Sequence, residues 1–170
     1  MRSIAALARF IGRILMRQLV FPTTYVGQDV EMPDGLRFTV FRHMKRRDGG
    51  EAPPGAILVI RFRFARGSNE ANIRASRIPI PLIGGSLGFR DKVWMIDRES
   101  GFWQGVYCWE DERRIADYRA SFVLGLMNRR AAPESLAYTV IPGMDIDRYL
   151  GQLARHVRRH QARQDLVARD

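Results

Sequence analysis

Between residues 57 and 142 the apolar positions change period, and each change marks a predicted element. Residues 57–65 (ILVIRFRFA) read as a strand. Ser68 can cap a helix that runs to about Ile78 and stops at Pro79 and Pro81. After a Gly84-Gly85 loop, residues 89–97 and 102–109 form two strands rich in Val, Ile, Trp, Tyr and Phe. Arg98-Glu99-Ser100-Gly101 turns between them, with glycine where a positive φ is needed. Glu110-Asp111-Glu112 opens a second helix, whose buried stripe is Ile115, Tyr118, Phe122 and Leu126 and whose end is Arg129-Arg130. Residues 135–141 give a last strand. The order strand, helix, strand, strand, helix, strand predicts an α+β fold, a ferredoxin-like βαββαβ module with an antiparallel sheet and both helices on one face.

Amphipathic helical extensions flank this module on both sides. Ile4, Leu7, Ile11, Ile14 and Leu15 recur at helical spacing over residues 3–20, and Arg9, Arg13 and Arg17 fall on the opposite side. Two readings compete. The helix docks on its own domain or on a partner protein, with solvated arginines. Or it lies in a membrane interface, with Ile11 and Ile14 buried and the arginines meeting anionic headgroups. Residues 36–41 suggest a short strand after Pro33-Asp34-Gly35, while 45–50 and 53–55 suggest an exposed loop and linker. Residues 145–164 predict a further helix, with Ile146, Tyr149, Leu150, Leu153 and Val157 apolar and Arg148, Arg155, Arg158 and Arg159 opposite. The expected division is 1–56, 57–142 and 143–170.

Composition narrows the picture. A hydrophobic fraction of 46% in 170 residues allows one domain with a core. The 28 basic and 18 acidic residues give a net charge of +10, concentrated in residues 1–50. All the basic residues are arginine except Lys45 and Lys92. The excess favours anionic surfaces or acidic partners. Nucleic acid is not expected, because Lys45-Arg46-Arg47 stands without further basic clusters interleaved with aromatics. Cys108 is the only cysteine, which excludes an intramolecular disulfide and a thiolate cluster and fits a reducing cytoplasm; it reads as a small core residue. No apolar run approaches the ~20 residues that span a bilayer. The expected location is cytoplasmic, or peripheral on the cytoplasmic membrane face.

Gly88-Phe89 leading into the hairpin, the turn at 97–101, and Gly105-Val106-Tyr107-Cys108-Trp109 followed by Glu110-Asp111-Glu112 resemble the dimeric α+β barrel superfamily. Within it, residues 57–141 are most similar to the antibiotic-biosynthesis-monooxygenase-like proteins. The resemblance implies a homodimer whose two sheets face each other and close into a barrel. It also implies a range of activities: oxygenation of electron-rich aromatics without a cofactor, haem binding or degradation, or no chemistry. The strands agree with the dimer, since they are apolar on both faces while helices cover only one.

His43, His156 and His160 all lie outside the module, so neither haem nor a metal is expected, and no cofactor. Cofactor-free oxygenation needs a cavity that holds an acidic phenol or enol and stabilises its anion. The candidate catalytic residues are Tyr107, Trp109, Asn72 and Arg119. Candidates for substrate binding are Trp94, Tyr118, Arg61 and Arg63. The plainer alternative makes the aromatics core and pairs Arg61 and Arg63 with Asp91 or Asp97. Two functions follow: a small monooxygenase acting on an aromatic or polyketide-like molecule, or a non-catalytic scaffold attached to a membrane or larger assembly through its basic helices.

Overall fold

The computed structural model describes residues 2–47, 53 and 55–167, with 157–167 as helical backbone only. Its elements are α1 (Arg2–Leu15), β1 (Leu19–Val20), β2 (Asp29–Glu31), β3 (Arg37–Arg46), β4 (Ala56–Arg63), α2 (Asn69–Ala75), α3 (Ile80–Gly84), β5 (Phe89–Ile96), β6 (Phe102–Trp109), α4 (Glu112–Arg119), α5 (Phe122–Arg130), β7 (Ala137–Pro142) and α6 (Ile146–Val167). Strands β5, β6, β4 and β7 lie side by side in that order, every neighbour antiparallel. This is the α+β, ferredoxin-like arrangement that the order of elements predicts.

The sheet does not stop at the module. β3 joins it along β5, with Thr39 opposite Ile96 and Lys45 opposite Asp91, and β1 and β2 both pair with β3. Lys45 and Arg46, expected in an exposed loop, therefore end a ten-residue strand. The reason is the burial of Phe38, Val40 and Met44, which anchors β3 on both faces of the sheet.

Successive side chains of a strand point to opposite faces. On one face Leu58, Ile60, Trp94, Trp103 and Tyr107 meet Ile83, Ile115, Tyr118 and Leu124 of the helices. On the other, Ile57, Val59, Val93, Met95 and Val106 are covered by Ile146, Leu150 and Leu153 of α6, together with Met32. The face expected to be bare for a partner protomer is thus occupied by the chain itself. Cys108 is buried in this second layer, where burial pushes its thiol up to about 12.

The helices depart from the expected outline at two breaks. Pro79 and Pro81 do not only end a helix; they begin α3, where a missing N–H does no harm. Ser121 interrupts the long second helix by accepting from Leu124 N, so α5 starts with a new phase. Leu124 is then buried, while Phe122 and Leu126, expected in the stripe, face solvent.

Helix α1 docks on the module, through the side that carries the arginines. Arg9 Nε donates to Gly85 O at 2.7 Å, and Arg13 Nη1 donates to Gly84 O and, at 3.3 Å, to Ser86 O. These carbonyls lie at the end of α3, where helical backbone leaves acceptors unsatisfied. Ala6 is buried and Phe10 packs on the core. Ile4, Leu7, Ile11, Ile14 and Leu15 stay exposed. The expectation of free arginines opposite a buried stripe is reversed for Arg9 and Arg13. Arg17 is exposed at a φ of 54°, and Gln18 N donates to Arg13 O at 2.7 Å, a C-cap that ends α1 well before Pro22.

Candidate functional site

Strand pairing assembles the site. Lys92 on β5 stands directly opposite Tyr107 on β6, and Trp94, two residues on, shares its face. Opposite Trp94 is Gly105, where a Cβ would lie 2.7 Å from Tyr107 Cε2. The missing side chain lets the Tyr107 ring lean over the strand. Lys92 Nζ then sits 3.9 Å from the Tyr107 ring centroid and 4.0 Å from that of Trp94. Two aromatic faces solvate a cation by their quadrupoles, and no carboxylate among the described residues pairs with this one. Burial, and next the Arg42 guanidinium, hold the Lys92 amine well below the usual lysine range. An amine that gives up its proton more readily than a free lysine can serve as a base.

Lys92 lines a cavity of about 130 Å³ between the sheet and the helices. Phe62, Phe64, Trp94, Trp103, Tyr107 and Tyr118 supply its apolar walls, and Ser76 and Arg130 its polar edge. An apolar cavity of roughly 150 Å³ admits benzene. This one therefore suits a single ring. Burial raises the pKa of both phenols, Tyr107 and Tyr118, so each keeps its proton at neutral pH. Arg42 Nη1 donates to Ser76 Oγ at 2.7 Å and fixes that edge.

The candidate residues divide by position. Trp94, Tyr107 and Tyr118 come together in the cavity. Trp109 lies just outside, lining a groove between α1 and the α4–α5 corner, with its Nε1–H buried and without an acceptor. Asn72 is not on the wall. Its amide donates to Arg66 O at 3.2 Å and accepts from Arg130 Nη2 at 2.8 Å, which holds Arg130 at the cavity edge. Arg119 is exposed and stacks over Tyr138, 5.1 Å from its centroid. Arg61 and Arg63 are on the α6 side of the sheet, because they alternate with Ile60 and Phe62. Arg61 bonds Gln104 Oε1 at 2.9 Å and pairs with Asp34, not with Asp91 or Asp97; Arg63 lies over Phe102. Asp91 instead binds His43 Nε2 at 2.8 Å, and Asp97 accepts from Ser100 Oγ at 2.6 Å in the hairpin turn.

Lys92 is the residue that sequence reasoning missed. The available signal was a lysine two positions before a tryptophan, on a strand whose neighbour offers tyrosine and glycine. Among the described residues, no group of three His, Cys, Asp or Glu could hold a metal ion.

The fold has solved counterparts. A monooxygenase-like protein from Listeria innocua superposes with a TM-score of 0.51 over 68% of each chain, at 7% identity. The two chains share the α+β fold. A ferredoxin-fold protein related to antibiotic biosynthesis monooxygenases from Listeria monocytogenes is 8% identical, with a TM-score of 0.49 over 80% of this chain and 89% of that one. A heme-degrading enzyme from the same organism is 12% identical, with a TM-score of 0.48 over 76% and 90%. No protein-family model and no curated protein matches the sequence.

Proposed function

We propose that the protein is a cofactor-independent oxygenase of one-ring phenols or enols, with Lys92 as its base. The observation that carries this reading is a fully buried amine, without a counter-ion, on the wall of an aromatic cavity. A phenol entering the cavity gives its proton to the neutral amine. The ammonium is then held between the Trp94 and Tyr107 faces and beside the phenolate it has formed, a charge pair strengthened by the apolar walls around it. Tyr107 and Tyr118 hydrogen-bond to each other, which leaves one of their two protons to donate to that anion. The electron-rich ring reduces dioxygen, the co-substrate. One oxygen atom becomes a new ring carbonyl, and the other leaves as water with the hydroxyl hydrogen and the displaced ring hydrogen. Phenol and dioxygen thus give a quinone and water.

Oxygen consumption with a panel of one-ring phenols tests the reading. Turnover is expected with wild type, and loss of at least about a hundredfold with Lys92→Met, the range general bases supply. Tyr107→Phe is expected to keep the ring that covers the amine and lose part of the rate. Full activity in Lys92→Met would overturn the role of the lysine. The second reading, a scaffold attached through its terminal helices, is favoured by one observation, the outward apolar stripe of α1.

A further inference from the structure

The apolar side chains left in solvent are not scattered. Ile4, Ile11 and Leu15 of α1 are 75%, 51% and 78% exposed. Leu87 and Phe122, at 52% and 65%, line the groove beside α1, and Ile78 and Leu126, at 74% and 43%, line the cavity of Lys92. Groove and cavity share Tyr118 and Val123 as a common wall. One helical layer therefore carries a broken apolar surface with the cavity mouth inside it. Monomeric proteins rarely expose contiguous patches of this kind without a partner.

Charge identifies the partner. Helices α1, α3 and α5 contain no acidic residue, Glu70 of α2 and Asp117 of α4 are paired with Arg98 and Arg114, and Arg17, Arg77 and Arg129 are exposed. A second copy would bring the same net charge of +10 to the contact. An anionic lipid surface brings the opposite charge, and it accepts irregular aliphatic side chains without demanding shape complementarity. The route differs from headgroup binding by the α1 arginines, since Arg9 and Arg13 are engaged with the backbone after α3.

We propose that the helical layer docks on an anionic lipid surface with the mouth of the Lys92 cavity turned towards it. Small lipophilic ligands then reach the cavity from the lipid and not from water. The docking does not depend on the oxygenase chemistry, and its test reads no turnover.

Full-length protein is sedimented with vesicles of phosphatidylcholine and phosphatidylglycerol, then of phosphatidylcholine alone. Binding is expected with the anionic vesicles, weakening with added salt and by about tenfold or more when the anionic lipid is omitted. The double variant Leu7→Asp with Ile11→Asp, both positions exposed, is expected to lose it; an unchanged thermal melt confirms that the fold is kept. Cys108 is buried, so an environment-sensitive dye on Ile78→Cys reports the cavity mouth alone. A blue shift on vesicles is expected there, and none with the dye on Val26→Cys, in the segment that packs with α6. Protein left in the supernatant at low salt, binding undiminished in the double variant, or a shift at Val26 without one at Ile78 overturns the proposal. So does a dimer that the double variant dissociates while vesicles capture nothing, which would give the patch to a second copy.

Discussion

A lysine buried without a counter-ion opposes folding, so Lys92 should reveal itself in stability as well as in turnover. Its unfolded amine titrates near 10.5, and its folded value is lower. Between the folded and unfolded values the unfolded chain therefore binds a proton that the folded chain lacks, and stability rises with pH there. The contribution is complete above the unfolded value and is lost as pH falls towards the folded one. Lys92→Met, similar in length and apolar, should be more stable than wild type at neutral pH by about 1 kcal/mol or more. The gap should narrow in alkaline buffer as pH approaches 10.5. Urea melts of both proteins at the two pH values check this; a variant less stable than wild type at neutral pH would mean that the amine has a partner. Three of the cavity residues, Trp94, Tyr107 and Tyr118, were legible because large aromatics on a strand and a helix stripe must converge. Lys92 was not. It alternates regularly with Trp94, but a single lysine in a strand reads as a solvent-facing charge until the pairing that sets it opposite Tyr107 is known.

At the scale of the element, α1 shows how a periodic pattern can be read correctly and still be turned the wrong way. The spacing gives a helix with two faces, but the side that docks is decided by carbonyls that no sequence pattern displays. Gly84 and Gly85 make the docking possible. A Cβ at Gly85 would lie 1.7 Å from Ala6 O, inside any contact distance, and the atom it meets is backbone. Gly85→Ala should therefore lift α1 from the module, at a loss on the order of 1–3 kcal/mol. Limited trypsin digestion gives the readout. Wild type should resist cleavage after Arg9 and Arg13, whose side chains are held against Gly85 O and Gly84 O, while the variant is cut there early. Equal cleavage would show that α1 dissociates freely in both. The break between α4 and α5 was hidden for a similar reason: Ser121 sits in a continuous helical pattern, and only its capping bond to Leu124 N resets the phase that exposes Phe122.

For the whole molecule, the doubly apolar sheet gave the right physical demand, a cover for its second face, without specifying the source. The cover comes from the same chain. Ile146, Leu150 and Leu153 of α6 are buried against Ile57, Val59, Val93 and Val106, and Tyr25 Oη donates to Asp147 Oδ1 at 2.6 Å to hold the start of the helix. The homodimer argued from a bare sheet loses its motive at that face. Burying a leucine contributes roughly 1.5–3 kcal/mol, so the three α6 residues together supply about 5 kcal/mol or more. That is a large share of a typical total stability of about 5–15 kcal/mol. Leu150→Asp places a carboxylate in this layer and should release α6. The uncovered strands then offer an apolar surface to a second copy. The expected outcome is a monomeric wild type and a destabilised variant that self-associates at micromolar concentration, as read by sedimentation velocity. A wild type that sediments as a dimer, unchanged in Leu150→Asp, would show that the chains join elsewhere; a dimer that Leu150→Asp disrupts would place α6 itself in the contact between chains.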